Sequence, residues 1–128
     1  ASGRRASPSE TGGSMASAAY ELFLRAMRDK KQVVCTYQGY PRELCPMLLG
    51  RTGLEEFSLT FQFGGATSKG RIPAPGDWKC LRLAEVTDIV LRDGPWHAGG
   101  SHSTAQHCMK MVEYDVNPQS PYNPAFRL

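Results

Sequence analysis

Hydrophobic and polar positions change their rhythm twice along this chain. From Ala16 to Asp29 the apolar residues Ala19, Leu22, Phe23, Ala26 and Met27 recur at helical spacing and make one stripe. Ser14 or Ser17 stands where a helix cap belongs, and Arg25, Arg28, Lys30 and Lys31 gather at the far end, where cations suit the helix dipole. Beyond Lys31 the rhythm shortens. Gln32 to Tyr37 is rich in strand formers, and Gln38-Gly39-Tyr40-Pro41 predicts a turn into a second strand over 42–49. Pro46 has no N–H to give to a ladder, so this strand is expected at an edge or bent there. The clearest alternation follows: Phe57, Leu59, Phe61 and Phe63 interleave with Ser58, Thr60 and Gln62. The expected register turns the phenylalanines to the core and the polar row away from it. Strands over 78–83 and 86–91, separated by a bend at Leu83-Ala84-Glu85, close the series. One helix and about five strands outline a small, half-open β-barrel that is mainly β in class.

Gly and Pro mark the borders. They cluster before Met15, between Gly64 and Asp77, and after Gly94. The expected organisation is a leader over 1–14, a barrel domain over 15–93, and an irregular tail over 94–128 with one added strand near 109–116. Arg4-Arg5 and Gly12-Gly13-Ser14 give the leader the look of an expression segment, and no signal peptide is visible in it. No apolar run approaches the ~20 residues that span a bilayer, so no membrane partner is expected, and a cytoplasmic location is the default. The stretch 64–77 is too long for a tight hairpin, and a solvated loop is its first reading. It also carries Thr67, Ser68, Lys69 and Arg71, whose hydroxyls and charges suit an anion.

Charge sharpens the picture slightly. The formal charge is +3, and 15–92 holds eleven basic and eight acidic residues, so an excess equal to the whole falls on that stretch. A mild excess favours an anionic partner without requiring one.

The reactive side chains argue against catalysis. Cys35, Cys45, Cys80 and Cys108 contain no close C-x-x-C pair and read first as small buried hydrophobes. Cys35 and Cys45 are placed to meet across the first hairpin. His97, His102, His107 and Cys108 invite a zinc reading, yet they lie in a Gly/Ser-rich stretch, and no metal or other cofactor is expected. Neighbouring His107 and Cys108 do not point at each other, and Glu55 and Glu56 diverge on a strand. With no phosphate-cradling glycine motif either, the chain reads as a binding protein and not an enzyme. Arg42, Lys79 and Arg82 sit on or beside strands. With Tyr37 they are the residues suited to a phosphate or a base, against the plainer reading of solvated strand charges.

The order of the segments resembles the WYL domain family. The resemblance is carried by Val33-Val34-Cys35-Thr36-Tyr37, by Arg42 and Pro46, and by Phe57-Ser58-Leu59 where the family has its Trp-Tyr-Leu triplet. Leu81-Arg82-Leu83 and the strand over 86–91 complete it, so that it covers residues 20–92. The triplet keeps only its leucine, and Glu85 stands nearest to a second expected arginine. The resemblance implies a five-stranded Sm-like half-open barrel, here standing alone. It implies a ligand- or nucleic-acid-sensing role of the kind such domains play in bacterial transcription regulators. It makes Tyr37, Arg42 and Arg82 the leading ligand-binding residues, with Ser58 and Lys79 behind them. The partner expected is a nucleotide or short single-stranded nucleic acid. The competing expectation is an interaction protein that oligomerises through barrel edges, its tail segment around Val112–Val116 adding a strand to a neighbour.

Overall fold

The computed structural model describes residues 16–97, 108–117, 122 and 124–128. The expected leader, together with His102 and His107, lies outside them. Helix α1 (Ala18–Asp29) begins at Ser17, whose hydroxyl accepts the Tyr20 N–H, and ends at Lys30 in the left-handed region with φ 53°. Its buried face is Tyr20, Phe23, Leu24, Ala26 and Met27, so the stripe is centred on Tyr20 and Leu24 and not on Ala19 and Leu22.

Strands β1 (Gln32–Tyr37), β2 (Tyr40–Thr52), β3 (Glu55–Thr67), β4 (Gly70–Arg71), β5 (Asp77–Arg82) and β6 (Val86–Arg92) follow. After them come β7 (Met111–Asp115) and β8 (Phe126–Arg127). All eight belong to one sheet. The main path runs β5-β3-β2-β1-β6, antiparallel throughout. A 3-10 turn, Leu83–Glu85, joins β5 to β6, the two ends of that path, so the open sheet is curled although its ends share no ladder. The fold is therefore mainly β with one helix near its start. Two of the eight strands come from the segment expected to be a tail with one added strand: β7 falls where that strand was expected, and β8 is a second.

That segment explains Pro46. On one edge, β2 pairs with β1 through Leu44 and then with β7 from Leu48 onward. Pro46 falls in the gap, beside a bulge between Pro46 and Leu48, where no ladder N–H is needed on that side. The strand is central and bent, not an edge. Gly50 makes the β7 contact possible, because a Cβ there would lie 2.0 Å from the Met111 carbonyl oxygen.

The register of β3 is the reverse of the expected one. Ser58 lies opposite Leu49 and Leu81, and Gln62 opposite Leu44; all three leucines belong to the principal core with the helix. Leu59 and Phe61 face the other way, into smaller clusters with Leu48, Met109 and Val112, and with Cys45, Met47 and Trp78. Ser58, Thr60 and Gln62 are fully buried because each has a nearby carbonyl. Ser58 donates to Leu48 O at 2.7 Å, Thr60 to Lys79 O at 3.0 Å, and Gln62 to Gly64 O at 2.9 Å. A polar row satisfied in this way loses little by facing inward, and the returning segment covers the aromatic row.

The cysteines divide. Cys80 and Cys108 form a disulfide with Cα atoms 5.4 Å apart, which overturns their reading as buried hydrophobes. Cys35 and Cys45 are free and buried. They do not meet: Cys35 lies opposite Arg42, and the two thiols belong to different clusters.

Candidate functional site

The hairpin β1–β2 and the turn between β3 and β4 enclose a cavity of about 210 Å³. Tyr37 and Arg42 form its inner wall, Thr67, Ser68 and Lys69 its lip, and Lys79 the β5 side. The glycine-rich stretch 64–77 is thus not one loose loop. β3 runs on to Thr67 and returns as β4, and the end of β3 with the turn at Ser68 and Lys69 brings the hydroxyls and Lys69 to the cavity. Arg71, on β4, is exposed and stands apart from it.

Arg42 dominates the chemistry. It is 4 % exposed, and no carboxylate pairs with it among the described residues. Its Nη1 donates to Gln62 Oε1 at 3.2 Å and its Nη2 to Tyr37 O at 3.3 Å. Its Nε is buried with no hydrogen-bond partner. The guanidinium lies 5.0 Å from the centroid of the Tyr37 ring. Burial holds the guanidinium below its usual pKa, against the smaller opposing effects of Cys35, Tyr37 and Tyr40. An arginine remains charged even so, and a buried charge with a free donor calls for an anion.

The remaining predicted residues scatter. Lys79 joins the site, its Nζ 3.4 Å from Asp77 Oδ2. Tyr37 is present but 8 % exposed, its hydroxyl accepting the Arg82 N–H at 3.2 Å, so it offers no free face to a base. Arg82 itself is turned outward over Phe57 and paired with Glu55 at 3.4 Å and Glu85 at 3.6 Å. It lies outside the cavity, and the pairing of Arg42 with Arg82 that the resemblance implied does not occur. Ser58 also falls out, since its hydroxyl is spent on Leu48 O in the core. Sequence reasoning passed over Gln62, which orients Arg42; its place in an alternating row gave no sign that the polar side was the inner one.

Two other hollows are already satisfied or plain. The larger, about 420 Å³, lies between α1 and β7. There Glu113 accepts from the Tyr20 hydroxyl and from Arg51 Nε at 3.2 Å. Burial, reinforced by Glu113, pushes the Tyr20 phenol far above its usual range. Arg51 covers the Tyr20 ring at 4.9 Å, which removes that ring as a cation site. The third, lined by Leu22, Arg25, Asp29, Lys31, Leu91 and Asp93, is an ordinary charged surface. His97 stacks on Phe63 with centroids 4.1 Å apart, and its N–H meets Cys45 Sγ at 3.4 Å, so it serves packing. No cluster of metal-ligating side chains occurs among the described residues. None of their helices is long and apolar enough to cross a membrane.

No family model, no curated protein and no solved structure matches this chain.

Proposed function

We propose that this protein is a non-catalytic sensing module that binds an anionic ligand, a nucleotide or short single-stranded nucleic acid, in the Arg42 pocket. One observation carries the reading. A buried guanidinium with a free Nε and no carboxylate partner among the described residues faces a cavity rimmed by Lys69, Lys79 and two hydroxyls. Isolated charge in such a place is costly unless a counter-charge arrives, and phosphate oxygens are the counter-charge arginine and lysine commonly bind. The WYL-like, Sm-like barrel reading belongs to the same proposal. In its support, the strand path β5-β3-β2-β1-β6 and the 3-10 turn that joins its ends are what a half-open five-stranded barrel requires. A role in transcriptional control follows only from that likeness.

Titration with mononucleotides and single-stranded oligonucleotides at low salt tests the reading. Binding is expected, weakening with added salt and lost in Arg42→Met. A titration without heat or signal change, or one that Arg42→Met leaves untouched, would sink it.

Self-association is the second reading, favoured by exposed Leu54, Met111 and Phe126. Strand β7, which was expected to reach a neighbour, is paired with β2 of its own sheet. Light scattering on the full chain decides: a monomer that binds anions leaves sensing, and an oligomer that binds none leaves assembly. The cytoplasmic setting belongs to the proposal too. Against it stands the Cys80–Cys108 disulfide, which favours an oxidising compartment.

A further inference from the structure

We infer that the Arg42 pocket reads the doubly charged end of a small phosphomonoester, and neither a base nor a phosphodiester backbone. This rests on the anion-binding reading and narrows it.

Charge is the first argument. Arg42, Lys69 and Lys79 bring three positive charges to the cavity, and Asp77 offsets one of them through Lys79. Among the described residues no carboxylate is part of its lining. Two charges remain to be balanced. A phosphomonoester carries about −1.5 to −2 at neutral pH, whereas a diester carries a single charge.

Donor geometry is the second. Nη1 and Nη2 each give one N–H, to Gln62 and Tyr37, so three of the five guanidinium N–H groups are not used by the described residues, and the Nε one is buried in the wall. The Thr67 Oγ1 accepts the Lys69 N–H at 3.1 Å, which leaves its own hydrogen to donate. The guanidinium at the inner wall, hydroxyls at the lip and ammonium groups on two sides meet the cavity from different directions. That arrangement suits a tetrahedral oxyanion, which presents acceptor oxygens in several directions.

Size and the lack of a stacking surface are the third. A cavity of about 210 Å³ is smaller than the roughly 300–1,000 Å³ typical of sites that enclose a whole small molecule. Its single aromatic among the described residues, Tyr37, lies under Arg42 and is nearly buried. Single-stranded nucleic acids are usually held by stacking bases on open aromatic rings, and this lining offers none. The phosphate enters, and the rest of the molecule stays outside.

Calorimetry at low salt tests this with inorganic phosphate, glycerol phosphate, adenosine and cytidine monophosphates, cyclic adenosine monophosphate, and an oligothymidylate lacking terminal phosphates. The monoesters and inorganic phosphate are expected to agree within about threefold whatever the base, since no base is stacked. The cyclic nucleotide and the oligomer, whose phosphates are diesters, should bind at least about tenfold more weakly. Glycerol phosphate should lose about tenfold between roughly pH 7.5 and roughly pH 5, as its second proton binds near pH 6. Sulfate, which stays a dianion throughout, serves as the control and should hold its affinity. Thr67→Ala should weaken every monoester, and Arg42→Met should abolish them. Equal or tighter binding of the cyclic nucleotide or oligomer, abolished by Arg42→Met, overturns this inference and spares the anion-binding reading. So does a clear preference between the two bases. Failure of every anion to bind, or indifference to Arg42→Met, overturns both.

Discussion

Arg42 is held in place by neighbours that do not neutralise it, and this sets what its replacement should do. Arg42→Met keeps length and apolar contact while removing a charge that is costly to bury. It also strips donors from Gln62 Oε1 and Tyr37 O, each loss worth about 1–3 kcal/mol. The two effects oppose each other, so the urea midpoint should move little. Ligand linkage should change completely. Phosphate at one hundred times its Kd stabilises the parent by about 2.7 kcal/mol through mass action and raises its melting temperature. The Arg42→Met melting curve should not respond to phosphate, and a response equal to the parent's would contradict the site. Cys35 gives a second test at this scale. Burial pushes its thiol from an ordinary 9.0 up to about 11, with Arg42 opposing. The folded state therefore holds this proton more tightly than the unfolded one. The associated stability is full below pH 9.0 and is lost as pH rises through about 11. Cys35→Ala should fall less steeply than the parent over that window when unfolding is followed by urea titration. Of the candidate binding residues, Arg42 was visible in the sequence as a basic residue on a strand. Arg82 stood beside it as a leading candidate and Ser58 as a weaker one, because alternation separates two faces without saying which one is inside.

At the level of elements, the helix and the five main strands were legible because each carries its own signal. The stripe of α1, the β-branched run of β1 and the alternation of β3 are local patterns. The docking of β7 was not: a strand near 109–116 was expected, but a five-residue strand does not name its partner. The sign that was present is Gly50, flanked by Leu49 and Arg51 within a strand, which marks a close backbone approach. Gly50→Ala tests that reading. The new Cβ would meet the Met111 carbonyl oxygen at 2.0 Å and Met109 Sδ at 2.6 Å, so β7 must move away from β2. Overpacking of this kind costs about 1–3 kcal/mol. The urea midpoint should drop accordingly. In hydrogen exchange the β7 amides should lose protection before those of β1, because β1 pairs with β2 and β6 independently of β7. Equal loss across the sheet would mean that β7 is not a separable layer.

Taken whole, the molecule is a curled sheet with its core on the helix side and a returning segment on the outer side, and one covalent bond ties the two together. Cys80 lies in β5 and Cys108 just ahead of β7, 28 residues apart in sequence. Spacing alone could not reveal this pair, because Cys80 and Cys108 come together only when the returning segment lies across β2. Met109 and Val112 then pack on Leu48 and Leu59, so the bond and the apolar cluster hold the same segment. In the chain-entropy account a crosslink of this span contributes about 3–4 kcal/mol by restricting the unfolded chain. A reductant should therefore lower the melting temperature of the parent markedly. The Cys80→Ser, Cys108→Ser double variant should start near the reduced parent and ignore the reductant. Thiol titration after unfolding without reductant should find Cys35 and Cys45 reactive and the other two blocked. Reactivity of all four, or equal sensitivity of parent and double variant to reductant, would show that the segment is held by its ladder with β2 and its apolar cluster without the bond.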